Sequence, residues 1–213
     1  YLVNITEEQV APLTQFTEEN DIPHRGFFAV YRGRLTSING EQTIRIKDNQ
    51  EDKQAGEAEK DLDSKENKPE GRRGMGRELG LTWLNDVPQQ NKILEGQWWQ
   101  KDDKTPQVSV EAGVAERLDI KLGDELAFNI GGREITASVT NLREVNWKTR
   151  QLNFIMIFNQ SVLADFPSTS ISAWNVAPEK KDAFYQLIGQ YPTISMIDFD
   201  NIMKQLNQMI EQV

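Results

Sequence analysis

Apolar positions open the chain as a short strand-like run, Leu2, Val3 and Ile5, and then change period. Val10, Leu13 and Phe16 recur at helical spacing. Thr6 and Gln9 stand at the N-cap and N3 positions of a capping box, which predicts a helix from there to about Asn20 and Asp21. Past Pro23, residues 27–38 are rich in aromatic and β-branched side chains. Asn39-Gly40 separates them from residues 42–46, the pattern of a hairpin closed by a two-residue turn. Residues 48–70 break the periodicity: they hold nine acids, four lysines and Leu62 as the one large apolar side chain. Such a stretch cannot bury enough apolar area to offset its ordering entropy and reads as a solvated, disordered insertion.

Order resumes near Arg77–Trp83, and residues 107–110 lead into a short helix over 111–118. Residues 124–130 and 133–145 read as strands joined at Gly131-Gly132. Residues 152–158 form a near-continuous apolar strand and 170–176 another. Pro178 suits the first turn of a helix running to Gln190, and 193–198 reads as a strand. A last helix from Asp200 carries Ile202, Leu206, Met209, Ile210 and Val213 on one stripe. The expected class is α+β: two β-α-β halves, residues 1–47 and 152–213, interrupted by a β-rich lobe at 81–151, with 48–80 as acidic insertion and linker. The chain opens on Tyr1 and stops in helical phase, so it reads as a piece of a longer chain whose last helix continues beyond Val213.

The bulk composition narrows the function classes. With 213 residues, 38% hydrophobic and 27% charged, the chain can fold around a sizeable core. A net charge of −9 with no dense basic cluster argues against nucleic acid as a partner. No run approaches the ~18 apolar residues of a membrane span. Cysteine is absent, which removes disulfides, thiolate metal sites and cysteine nucleophiles.

Candidate chemistry is thin. His24 is the one histidine, so neither a paired-histidine zinc motif nor a serine triad in a GxSxG elbow can be assembled. Carboxylate pairs such as Glu78 with Asp86, or Asp124 with Glu125, would permit acid/base work, but 33 acids make such pairs common by chance. The run Gly71-Arg72-Arg73-Gly74-Met75-Gly76-Arg77 lacks the preceding strand and following GK[ST] of a phosphate loop and reads as linker. Trp83, Trp98, Trp99, Trp147 and Trp174 read as packing residues. Trp98 and Trp99, adjacent on an extended chain, would point to opposite faces and could not share a stacking platform. The expectation is no catalytic residue, no cofactor, no metal, and no enzyme.

Long segments carry a family resemblance: LGLTWLNDVPQQNKILEGQWW over residues 79–99, SVEAGVAERLDIKLGDELAF over 109–128, and VTNLREVNWKTRQLNFIMIF over 139–158. With YLVNI at the start and YRGRLTSING before the insertion, they resemble the extracytoplasmic region of the YbbP-like ABC transporter permeases of the FtsX/MacB superfamily. The insertion departs from that pattern, where the connection is shorter. The resemblance implies a periplasmic domain of an inner-membrane protein, with a porter-like α+β lobe and a β-rich sabre-like lobe. It also implies a cytoplasmic ABC ATPase as partner through the membrane part, a dimeric full-length protein, and a non-catalytic role in mechanotransmission. A periplasmic protein or an amphiphilic substrate would be the outer partner. The alternative reading is a free-standing periplasmic ligand-binding or chaperone-like module.

Overall fold

The computed structural model describes residues 1–42, 78–149 and 151–202. The expected acidic insertion, all but the first residue of the expected 42–46 strand, and the stripe beyond Ile202 lie outside them. Among the described residues there are eleven strands, and no helix is long and apolar enough to cross a membrane.

β1 (Leu2–Ile5) runs into α1 (Glu7–Glu19), whose start is fixed as the sequence predicts: Gln9 Oε1 accepts from the Thr6 N–H at 3.0 Å. The chain then enters β2 (His24–Ile38), a 15-residue strand. After the barrel described below, β10 (Thr169–Trp174), α4 (Lys181–Gly189) and β11 (Ser195–Met196) complete a second β-α-β unit. The two units interleave. β1 pairs antiparallel with both β10 and β11, and β10 pairs antiparallel with β2, giving the order β11-β1-β10-β2. Each unit therefore places one strand between the two of the other, the split β-α-β arrangement. Leu2 and Ile5, Leu13 of α1, Phe184 of α4 and Ile194 form the buried cluster of this part.

The remaining strands close a ring. β4 (Leu79–Trp83) pairs antiparallel with β2, and parallel with β9 (Met156–Phe158). β9 pairs antiparallel with β6 (Gln107–Glu111), which pairs parallel with β8 (Arg133–Val145). β8 pairs antiparallel with β7 (Glu125–Ile130), and β7 returns to β2. This six-stranded barrel encloses a second, larger apolar cluster in which the Phe128 and Phe158 rings meet edge to face at 5.0 Å. α2 (Ala112–Leu118) and α3 (Gln160–Leu163) add Val114, Ala115 and Leu163 to it.

Both predicted hairpin turns form: Asn39 and Gly40, and Gly131 and Gly132, all have positive φ, as a type I′ turn requires. β3 (Glu41–Gln42) returns along β2.

Three local expectations differ. The apolar run at 152–158 is a strand only from Met156: the Ile155 carbonyl still meets β6, accepting from Glu111 N (2.9 Å), but the Phe154 carbonyl is taken by the Arg143 side chain. β9 also lies within the barrel, between β4 and β6, where Met156, Ile157 and Phe158 are all buried. Finally, β5 (Asn91–Gly96), paired only with β8 at the outer edge of the sheet, is not apparent from apolar periodicity.

Candidate functional site

An open groove of about 520 Å³ lies where the two parts of the molecule meet. Its lining is drawn from elements distant in sequence. The head of β2 contributes His24 and Arg25, the end of β10 contributes Trp174, and α4 contributes Lys181, Phe184 and Tyr185. The three α4 residues fall together because positions i, i+3 and i+4 share a helical face. β11 and the chain after it add Met196, Ile197, Asp198 and Phe199, while Gln90, Thr149 and Gln151 come from barrel loops.

Trp174 is held rigidly. Its Nε1 donates to Ser172 Oγ (2.9 Å), and its ring contacts Phe184 at 5.7 Å, His24 at 6.4 Å and, stacked at 16°, Phe16 at 6.4 Å. His24 sits at the head of β2. Its Nδ1 accepts from the Gly26 N–H at 3.1 Å, and its ring lies 5.7 Å from Phe27. Arg25 Nη1 donates to Gln89 Oε1 (2.5 Å), one polar tie between the α+β part and the barrel loops. Such a mixed lining, with a fixed aromatic surface and a few convergent polar groups, suits binding rather than covalent chemistry.

The carboxylate pairs do not make a second site. Asp124 is used to clamp turns: its two oxygens accept from Asn39 Nδ2 (2.9 Å) and Lys121 N (2.8 Å), while Asn39 Oδ1 accepts from Glu125 N (2.8 Å). Glu78 and Asp86 are both exposed, as is Glu125. Among the described residues, no group of three or more His, Asp or Glu side chains could hold a metal. The Gly- and Arg-rich run at 71–77 lies outside those residues.

The tryptophan pair corrects its expectation. Trp98 and Trp99 stack on one another, with centroids 4.1 Å apart at 28°, and their Nε1 groups donate to Asn85 O and Leu84 O (both 2.9 Å). The chain at 97–100 is not a strand, so the alternation that would separate neighbouring side chains does not apply. With Trp99 buried, the pair fastens the 84–85 loop and offers no open platform.

No family model matches the chain. It is 36% identical over 206 residues, 97% of its length, to the protein described as "Uncharacterized ABC transporter permease YbbP" of Escherichia coli strain K12. The chain is a homologue of one region of an ABC transporter permease. It spans 22% of the length of YbbP. The match to YbbP takes in the barrel and both interleaved units, since it leaves almost none of the chain out.

The groove was not visible in the sequence as a site. Tyr185 and Lys181 are ordinary helix-surface residues there, and only the pairing of β11 with β1 brings Met196 and Ile197 opposite them. The available signal was the amphipathic phase of residues 181–188, which places Phe184 inward and Tyr185 at the rim.

Proposed function

We propose that this chain is the periplasmic domain of an inner-membrane ABC transporter permease of the FtsX/MacB kind. It is a non-catalytic module that couples transmembrane motion to the handling of a substrate or partner in export. The observation that carries this reading is the near-complete match of the chain to one region of the permease YbbP. The fold supports it physically. Interleaved β-α-β units, read as the porter-like lobe, and a closed barrel, read as the sabre-like lobe, share one continuous strand, β2, so displacement of either part is passed to the other. The cytoplasmic partner in this reading is an ABC ATPase acting through membrane helices of a dimeric full-length permease, and the outer partner is a protein or an amphiphile.

The chain contains no cysteine, so a reporter thiol at Trp147, a 53% exposed side chain, tests this in a full-length protein whose cysteines elsewhere are replaced by serine. Spheroplasts carrying Trp147→Cys should react with a membrane-impermeant maleimide before lysis, with the labelled protein in the membrane fraction. Labelling only after lysis would place the domain on the other side and overturn the proposal. Recovery of the labelled chain in the soluble periplasmic fraction would instead favour the free-standing ligand-binding or chaperone-like module.

A further inference from the structure

The strand β11 lies at the outer edge of the sheet, with β1 as its one neighbour among the described residues. The Tyr1 nitrogen donates to Ile197 O, and Ile197 N donates to Tyr1 O, each at 2.8 Å, so these two residues form the hydrogen-bonded pair of the β1–β11 ladder. Met196 lies opposite Leu2 in the adjacent non-hydrogen-bonded pair. Its N–H and C=O therefore point away from β1, off the edge, where no further strand follows among the described residues. An unpaired donor and acceptor side by side match an extended peptide.

The side chains around this edge are apolar and exposed. Tyr185, Met196, Ile197, Phe199 and Ile202 are each between 37% and 44% exposed, and all but Ile202 line the groove. Scattered exposed apolar residues need no explanation, but a contiguous set beside a groove marks an interaction surface. Two cations, Arg25 and Lys181, line the groove alongside the carboxylates of Asp198 and Asp200. The Lys181 ammonium has no hydrogen-bond or ion-pair partner among the described residues, and the Arg25 guanidinium bonds the Gln89 side chain. Asp198, in contrast, is occupied in starting the helix at 199–202, where its Oδ1 accepts from Asn201 N at 3.1 Å.

We propose that the groove docks an extended segment of a partner protein. The segment adds to the sheet edge at Met196 and seats one apolar side chain against Trp174, Phe184 and Tyr185. It sets a carboxylate at Arg25 and Lys181. A lipid or detergent would fill the apolar half but has no amide to satisfy Met196. The site does not depend on the permease reading, since a free-standing module would present the same edge.

The probe is the blocked hexapeptide acetyl-Thr-Val-Glu-Phe-Thr-Val-amide, titrated into the ¹⁵N-labelled 213-residue chain. Binding in the range of about 0.01–1 mM is expected, with at least ~10-fold slower hydrogen exchange at the Met196 amide when saturated. The same peptide N-methylated at every second residue, which removes donors from one edge, should lose ~10-fold or more in affinity. Arg25→Glu with Lys181→Glu should weaken the probe by about 10-fold and restore binding to the peptide with lysine in place of glutamate, so a folding defect is not mistaken for the effect. The proposal is overturned if no binding is seen at about 1 mM. It is equally overturned if the N-methylated peptide binds as well, or if phosphatidylglycerol vesicles perturb the groove while the peptide does not.

Discussion

Arg143 is the largest of the fully buried side chains, an unusual position for a guanidinium. Its Nη1 donates to Asn91 Oδ1 (2.9 Å) and its Nη2 to Phe154 O, while Nε has no partner. Burial pushes its pKa down to about 10, against the opposing pull of the Glu111 carboxylate, so it still carries its charge at neutral pH. Asn91 extends the network to Asn153 through Nδ2 (3.0 Å). One cation thus ties the start of β5, strand β8 and the return of the chain toward β9. Arg143→Ala should cost about 3 kcal/mol in urea unfolding, because it strands buried acceptors as well as opening a cavity. Arg143→Lys should retain part of the stability, keeping the charge but losing the planar fork. An Arg143→Ala variant as stable as the parent would show that the network contributes nothing. Little in the sequence marks this residue. The buried positions of β8 run Ala137, Val139, Asn141, Arg143 and Val145, but the register with β6 slips between Val139 and Asn141, so that Leu142 and not Arg143 continues the barrel-interior face, and the alternation identifies a strand without showing which face Arg143 lies on. The partners that make burial tolerable come from three other segments.

Among the elements, β2 carries the greatest topological load, since it pairs with β10 along its first half and with β4 and β7 along its second. Gly33 sits where β4 and β7 flank it closely. A Cβ added there would lie 2.7 Å from Leu81 Cδ1 and 2.9 Å from Ile130 Cγ1. Gly33→Ala should therefore destabilise by about 1–3 kcal/mol through overpacking, and Gly33→Val by more. Adding Leu81→Val should recover part of the loss in a double-mutant cycle. Full additivity of the two changes would rule out the packing explanation. What could be read at this scale was local. The helix start at Thr6, the two primed turns, and the strands and helices they delimit follow from chemistry between neighbours. Barrel closure was not legible, because β4 with β9 and β6 with β8 are parallel pairs joined by long connections with no local signature. β5 escaped for another reason. At the edge it has no buried face, with Lys92 and Glu95 exposed, so no two-residue apolar period exists to be found.

At the scale of the whole molecule, the two apolar clusters meet at one strand, to which Phe27 contributes on one side and Tyr31 and Leu35 on the other. Loss of either cluster strips half of β2 of its partners and exposes the ladder of the other half. The expected consequence is one cooperative unit rather than two lobes on a hinge. Leu2→Ala in the first cluster and Val110→Ala in the barrel should each cost about 2–4 kcal/mol and should move the same thermal transition, by about 2–4 °C per kcal/mol for a chain of this size. Near-ultraviolet circular dichroism, far-ultraviolet circular dichroism and tryptophan fluorescence should report coincident midpoints in both variants. The measurement bears directly on coupling. Tyr1 pairs with Ile197 and its ring meets Phe199 at 6.4 Å, so the start of β1 and the helix at 199–202 form one end of the α+β part. A displacement applied there reaches the barrel undiminished only if β2 holds both clusters together. Should Leu2→Ala split the unfolding into two steps, with the barrel melting at the parent temperature, the shared strand would be a flexible tether, and rigid transmission through this domain could not be maintained.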